Sequence, residues 1–480
     1  MDLRAWLGDF ESPPETSRDA SLNNTKIRVW RKRRKSLVVL AILVYISSFQ
    51  WMYVHWLTSA FGYFGFDYIP PMSGSLYVAW ILALLPALWM PIRLLRPSQL
   101  AYWVLYVTVF IPSMFVPLYA GLTARSEILY LLITMFAGFA LLGANNILPL
   151  ARIRPPRLTP VSFWTITLLV GVALAAWVVF LFRGNLQIVS LLDVYDVRGA
   201  ADDLLDGTKG NYALMWLSGA LNPLLMAYGL FQKRLIFVVA GIFGQLLVYS
   251  SLATKGSILS IAFILGFYVL LKGDKGSFGL KLALGASVLG ACLCLSYWLA
   301  GGDNNPIYST ILFVVFMRTL SSPGLLTAQY YDFFSFHSLT HYSHVTGVNW
   351  FTTYPYANPI GVEVGSFYSG DPTLDASAHF WATDGIAAWG LLGVLLISVF
   401  CAILFWCLDS AAQNHDPRFS ALAISYAAYN LANISIFTSL LSGGLSLLIL
   451  ALYFMPRQCP PEETRTPQCA RLQLRPAPQP

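Results

Sequence analysis

The fold class this sequence predicts is all-α: a polytopic helical membrane protein of about twelve spans, with both termini cytoplasmic and two larger loops outside. Three observations carry that reading. Of 480 residues, 57% are apolar and only 11% are charged, and mean hydropathy is +0.61, a composition that excludes a water-soluble globule. Apolar runs of roughly 20 residues recur along the chain, each long enough to cross a hydrocarbon core of about 30 Å as a helix. The cations are also partitioned, with no Lys or Arg between Thr319 and Pro417. A long polar stretch without them belongs outside the membrane.

The N-terminal arm, 1–36, is polar for its first 25 residues and then reads KIRVWRKRRK, with seven basic residues between Lys26 and Lys35. Directly before the first apolar run, this cluster is a topology signal that holds the arm in the cytoplasm, not a nucleic-acid patch. No cleavable signal peptide is expected, because the first apolar run is too long for an h-region. A single transmembrane domain, 37–455, follows. Its spans read at about 37–58, 75–94, 100–120, 128–147, 161–182, 211–231, 235–253, 256–272, 280–300, 385–408, 419–437 and 440–455. Basic loops at Arg93 and Arg96, at Arg152, Arg154 and Arg157, at Lys233 and Arg234, and at Lys272, Lys275 and Lys281 alternate onto the cytoplasmic side. The larger outer loops are about 183–210 and 301–384. The Pro-rich tail, 456–480, is expected to be cytoplasmic and disordered.

One further apolar run, 307–328, contains Arg318, Pro323 and Gly324. Were it a thirteenth span, the cation-free stretch would face the cytoplasm and the tail, with Arg457, Arg465, Arg471 and Arg475, would face outwards. Both contradict the charge rule, so the run is placed within or along the outer side of the bundle, with Pro323-Gly324 breaking its helix. The cysteines indicate no disulfide framework: Cys292, Cys294, Cys401 and Cys407 lie in spans, and Cys459 and Cys469 lack CxxC spacing.

Six cations then fall outside against the general bias: Arg125, Arg183, Arg198, Lys209, Lys255 and Arg318. Arg198 lies in SLLDVYDVRGAADDLLDGTKGNY among five aspartates. Either the loop is tied by its own ion pairs, or the guanidinium fork faces the bundle and grips phosphate oxygens. Lys255, in ATKGS, either snorkels to the headgroups or shares an anion with the free N–H groups of the helix it opens. Arg318 interrupts FVVFMRTLSSPG, where a cation is a functional-site hypothesis by default; an ion pair with Asp332 is the competing explanation.

The basic arm, twelve or so spans, the loop DVYDVRG followed by Tyr212 in the next helix, and then TKGS resemble the Wzy-type polysaccharide polymerases of bacterial envelopes. FMRTLSSPG, QYYDFF and DASAHFWATDGIAAWGLLG look like the same family, and the likeness covers roughly residues 180–410. The resemblance implies a GT-C-like enzyme of the bacterial inner membrane. Such an enzyme joins glycan repeat units carried on undecaprenyl pyrophosphate at the periplasmic face. It implies a lipid-linked oligosaccharide as substrate, membrane lipids, a chain-length regulator and a flippase as partners, and no nucleic acid. It also maps substrate binding onto Arg198 and Arg318, with Tyr212 and Tyr331 in the matching motifs. Related O-antigen ligases share the plan and the donor.

The residues suit that chemistry on their own account. When an acceptor hydroxyl attacks the anomeric carbon, negative charge builds on the departing pyrophosphate, and cations must stand where it forms. Arg198, Lys255, Arg318 and Arg125 are the candidates. The hydroxyl needs a base within hydrogen-bond reach. His379, in DASAHFWATDG, is the first choice, with Asp375 and Asp384 beside it to orient the imidazole and raise its basicity. His337, His341 and His344 have the spacing of one helical face, which suits a metal or an interface; no metal and no cofactor is assigned. The aromatics Tyr330, Tyr331, Tyr342, Trp350, Tyr354, Tyr356, Tyr368 and Trp381 suit either sugar stacking or an interfacial belt. There is no P-loop, DxD pair or dinucleotide fingerprint in context. A glycolipid flippase or other transporter is the alternative from a different class; it would line its spans with polar groups.

Overall fold

The computed structural model describes residues 17–123, 126–151, 158–187, 208, 210–252, 255–273, 275–299, 306–345, 347–372, 374–376 and 380–456. Among them every regular element is helical, with no strand. Ten helices are long and apolar enough to cross a membrane, and the protein is a multi-pass helical membrane protein. In chain order, α1 is Arg33–Phe64, α2 the shorter Ser73–Leu88, α3 Ser98–Ala120, α4 Ile128–Asn146, α5 Pro160–Leu181, α6 Gly210–Phe231 and α7 Leu235–Leu252. Then come α8 Lys255–Leu271, α9 Lys275–Leu299, α10 Tyr308–Phe336, α11 Ile360–Ser369 and α12 Trp381–Ala412. Four short helices close the chain: α13 Pro417–Ala423, α14 Ser425–Asn430, α15 Ile436–Leu440 and α16 Leu445–Phe454; the last two together make the tenth span, Ile436–Phe454.

Hydrogen bonds sort the helix ends onto two faces. On one, Lys35 Nζ donates to the Leu88 carbonyl at 3.2 Å, Arg96 Nη2 to Leu148 O at 2.7 Å and Gln413 Nε2 to Ala151 O at 2.7 Å. Lys275 pairs there with Asp416 at 2.9 Å, and His415 Nε2 meets Leu452 O at 2.8 Å. This is the basic face. On the opposite, far face, Ile69 N donates to Tyr119 O at 2.8 Å and Gln187 N to Ser250 O at 3.0 Å.

Three expected elements come out differently. The span at 75–94 ends as a helix at Leu88, because Pro86 and Pro91 each remove a backbone donor. The span at 419–437 is not one helix. It is α13 and α14, then a turn at 431–435 in which Asn433 Nδ2 bonds the Tyr429 carbonyl at 3.0 Å, a side-chain competitor of the helical ladder. Pro323 and Gly324 do not break the run at 307–328, which continues to Phe336.

The reason for that continuity is a change of helix type. Residues Phe313–Ser321 are π-helical and Pro323 opens the α-helix beyond them. A proline has no N–H for the carbonyl four residues back, and widening the turn accommodates both the missing bond and the ring. Hydroxyls add to the wide turn five residues on: Thr319 Oγ1 bonds Val314 O at 2.8 Å, and Met317 O accepts both the Ser322 N–H and its Oγ at 2.9 Å. The same pairing recurs at Tyr106–Phe110 before Pro112 and at Leu217–Leu221 before Pro223.

Although α10 is long enough to cross, both its ends are held on the far face. Tyr308 Oη donates to Leu293 O at 3.1 Å near the far end of α9, and Tyr331 hydrogen-bonds Glu127 just before α4. Its middle packs inward, with Phe316 against Phe49 at 5.4 Å between ring centres. A Cβ at Gly324 would come within 2.7 Å of the Pro112 carbonyl, so α10 lies backbone-to-backbone on α3.

The sharpest feature is inside α12. Trp389 (φ −145°, ψ 28°) and Gly390 (φ 58°, ψ −141°) leave the helical region, and the positive φ is one that glycine adopts without strain. The Gly385 carbonyl and Gly393 are in contact, although eight residues of straight helix would separate them by about 12 Å. The chain therefore doubles back. A buried arm, residues 381–388, lies against the long crossing helix, and Trp381 reaches the level of Ser398 where both border Gly138.

Candidate functional site

The arm puts a carboxylate deep in the bundle. Asp384 is 1% exposed, and its Oδ2 accepts from Ser435 Oγ at 2.9 Å and from Ile436 N at 2.8 Å. These are the N-cap and first residue of α15, so Asp384 satisfies a helix terminus whose donors would otherwise be orphaned. Cys401 lies within its electrostatic reach, on the long crossing helix against which the arm folds back. Tyr330 and Tyr342 also face it electrostatically. Among the described residues the Trp381 Nε1 and Tyr342 Oη, both buried, have no hydrogen-bond partner.

His379, expected beside Asp384, lies outside the described residues, as do Arg198 and Arg125. Phe380, next in sequence, is fully buried. Asp375 is exposed in the segment leading to the arm, and the carbonyl of its neighbour Ala376 accepts from Tyr330 Oη at 3.3 Å.

Arg318 stands exposed in the π-helical part of α10. The competing ion pair with Asp332 does not form. Asp332 Oδ2 is taken by the Tyr368 hydroxyl, and burial together with that contact raises the Tyr368 pKa above the ordinary phenol range. Among the described residues Arg318 has no carboxylate partner; its electrostatic neighbour is Tyr429, which Thr319 also hydrogen-bonds. Tyr429 stacks on Tyr426 at 6.1 Å, and a Cβ on Gly256 would meet the Tyr426 hydroxyl at 3.0 Å. A line of contacts thus joins Arg318 to the start of α8, the helix that Lys255 opens. Tyr212, by contrast, is 48% exposed and packs edge-on against Trp216. Tyr331 is half-buried and faces Glu127.

The expected helical face of His337, His341 and His344 is absent. α10 stops at Phe336, and His341 and Tyr342 have φ of 49° and 59°. Thr340 N and His341 N instead bond the Ala387 and Ala388 carbonyls at 2.9 and 3.3 Å, groups that the hairpin leaves without helical partners. No cluster of three His, Cys, Asp or Glu residues suited to a metal occurs among the described residues. Of the aromatics named from sequence, Tyr330, Tyr342 and Trp381 are buried and are packing residues. Trp350 is 78% exposed and borders a cavity of about 500 Å³ with His344, Asn349, Phe351, Thr353 and Tyr354.

Sequence reading missed Asp409, on the basic face of α12 and 1% exposed. Its carboxylate accepts from Ser98 N at 3.0 Å, Ser98 Oγ at 2.6 Å and Asn145 Nδ2 at 3.0 Å, and so ties the ends of α3, α4 and α12 together. The available signal was an acid at the end of an apolar run with no local partner. No family model, curated protein or solved structure matches this chain.

Proposed function

We propose that this chain is a membrane glycosyltransferase that polymerises glycan repeat units carried on undecaprenyl pyrophosphate, working at the periplasmic face of a bacterial inner membrane. The observation that carries the reading is Arg318. It is a guanidinium set into an apolar helix at a π turn before a proline, with no carboxylate partner among the described residues and with Tyr429 beside it, from which Tyr426 leads on to the start of α8. Such a cation suits a pyrophosphate, whose oxygens match the fork, while the N-terminus of α8 adds backbone donors.

In the proposed reaction, an acceptor hydroxyl attacks the anomeric carbon of the donor glycan. The bond from that carbon to the pyrophosphate oxygen breaks, and the hydroxyl proton passes to a base. His379 is assigned as that base, with Asp375 near it in sequence. Arg318, Lys255, Arg198 and Arg125 hold the charge that develops on the leaving group. Asp384, committed to α15, is assigned the positioning of the arm.

Glycan analysis of a deletion strain tests this. Single repeats capping the acceptor support the polymerase, and intact polymer remaining on its carrier means a ligase. Asp384 and Asp409, buried within spans, favour a flippase as the second reading; accumulation of lipid-linked repeats on the cytoplasmic side alone means that class.

A further inference from the structure

We infer that the cavity lined by residues 343, 344 and 349–354 is a binding subsite for the neutral part of the glycan, separate from the cations that hold the pyrophosphate. This rests on the reading proposed above and adds where the sugar chain is held.

The cavity, about 500 Å³, is of a size that accommodates a small ligand of a few rings. Among the described residues its lining contains no Lys, Arg, Asp or Glu; Asn349, Thr352, Thr353 and Ser343 supply amide and hydroxyl groups, and His344 an imidazole, among the rings of Trp350, Phe351 and Tyr354. Without a guanidinium or ammonium group the walls lack the permanent cation that a phosphate calls for. With that density of donors and acceptors they are equally unsuited to an acyl chain. Flat rings beside neutral polar groups fit a sugar, which offers C–H faces for stacking and hydroxyls for hydrogen bonds.

The walls are held in place before any ligand arrives. Tyr354 Oη donates to Asn358 O at 2.9 Å, and Tyr356 Oη donates to Ser338 O. Tyr342, next to Ser343 in the wall, packs on Trp389 and Phe437, each at 5.1 Å between ring centres. The wall is therefore seated on the hairpin and on α15, the two elements that Asp384 joins. Burial, with Glu363 and Tyr356 nearby, pushes the Tyr354 hydroxyl up to about 12, so it stays a neutral donor.

The test uses the full chain in nanodiscs and the oligosaccharide released by mild acid from the carrier lipid of the deletion strain. The expected result is saturable binding that Trp350→Ala and Asn349→Ala each weaken roughly tenfold. Phe336→Ala, at an exposed aromatic outside the cavity, should leave binding unchanged. In cells, Trp350→Ala should shorten the polymer. Unaltered binding and chain length in both cavity variants would overturn the subsite and leave the polymerase reading standing. A deletion strain that forms no single-repeat cap on the acceptor removes that reading, and the subsite with it. Quenching by brominated acyl chains that Trp350→Ala abolishes would place the ring in lipid and also overturn the proposal.

Discussion

Asp384 and Arg318 are both charged residues in apolar surroundings, and their partners separate their roles. Asp384 is enclosed and accepts two hydrogen bonds at a helix start; Arg318 is exposed and has no acid beside it among the described residues. Asp384→Ala should lower stability by about 1–3 kcal/mol, the cost of leaving the Ser435 and Ile436 donors buried and unpaired. Asp384→Asn, which keeps an acceptor, should cost less, and thermal unfolding in detergent ranks the two. Equal losses would show that the hydrogen bonds are not what holds α15. Arg318→Ala should abolish long glycan at unchanged protein level, whereas Arg318→Lys should retain part of it, because a lysine keeps the charge and loses the fork. Full-length polymer in Arg318→Ala would dismiss the assignment.

At the scale of the element, prolines and a glycine pair reshape helices that hydropathy alone reads as plain spans. Pro323→Ala restores a donor and lets the π stretch at Phe313–Ser321 tighten, which turns Arg318 by roughly 100° relative to the rest of α10. The expected outcome is glycan loss close to that of Arg318→Ala with little change in unfolding temperature. Glycan profiles beside a melting curve check it. Gly393→Ala has the opposite signature, since its methyl would overlap the Gly385 carbonyl. It should destabilise the fold by about 1–3 kcal/mol or more, seen as a lower melting temperature and reduced protein level. The existence of these elements was legible in the sequence, as runs of the right length. Their shape was not: a proline in an apolar helix can kink it or widen it, and only the neighbouring backbone of α3 selects between them. Similarly, the spacing of His337, His341 and His344 resembles a helical face, but the hairpin carbonyls at Ala387 and Ala388 hold that segment in turns.

For the whole molecule, the two faces are joined differently. The basic face is tied by charges and carboxylates, among them Asp416, which burial alone would raise but which Arg418 and Lys275 hold below the ordinary carboxylate range. A depressed folded-state pKa means that this contribution is fully present above the unfolded value of about 3.9 and is lost as pH falls through the folded value. Melting temperature followed from about pH 5 downward should drop more steeply in the wild type than in Asp416→Asn, and parallel curves would remove Asp416 from the account. The far face is tied by backbone and aromatic contacts. With native cysteines replaced, Phe351→Cys, at a position 85% exposed, should react with an impermeant maleimide added to intact spheroplasts. Gln413→Cys should react only after permeabilisation; the reverse pattern would invert the topology.

By itself the sequence determined that this is a multi-pass helical protein and which helix ends share a side. Apolar length and the placement of Lys and Arg are local quantities, set by the cost of exposing backbone or burying charge in lipid. It also singled out Arg318 as a charge needing an explanation, and set Asp384 beside the expected base His379. Only the tertiary structure decided what each of them meets. Asp332 goes to Tyr368 and not to Arg318, Asp384 goes to a helix fifty residues away, and Asp409 goes to α3 and α4. Partners so distant in sequence are chosen by packing, through the close approach of Gly385 to Gly393 and of Gly324 to Pro112, and no spacing rule along the chain encodes them.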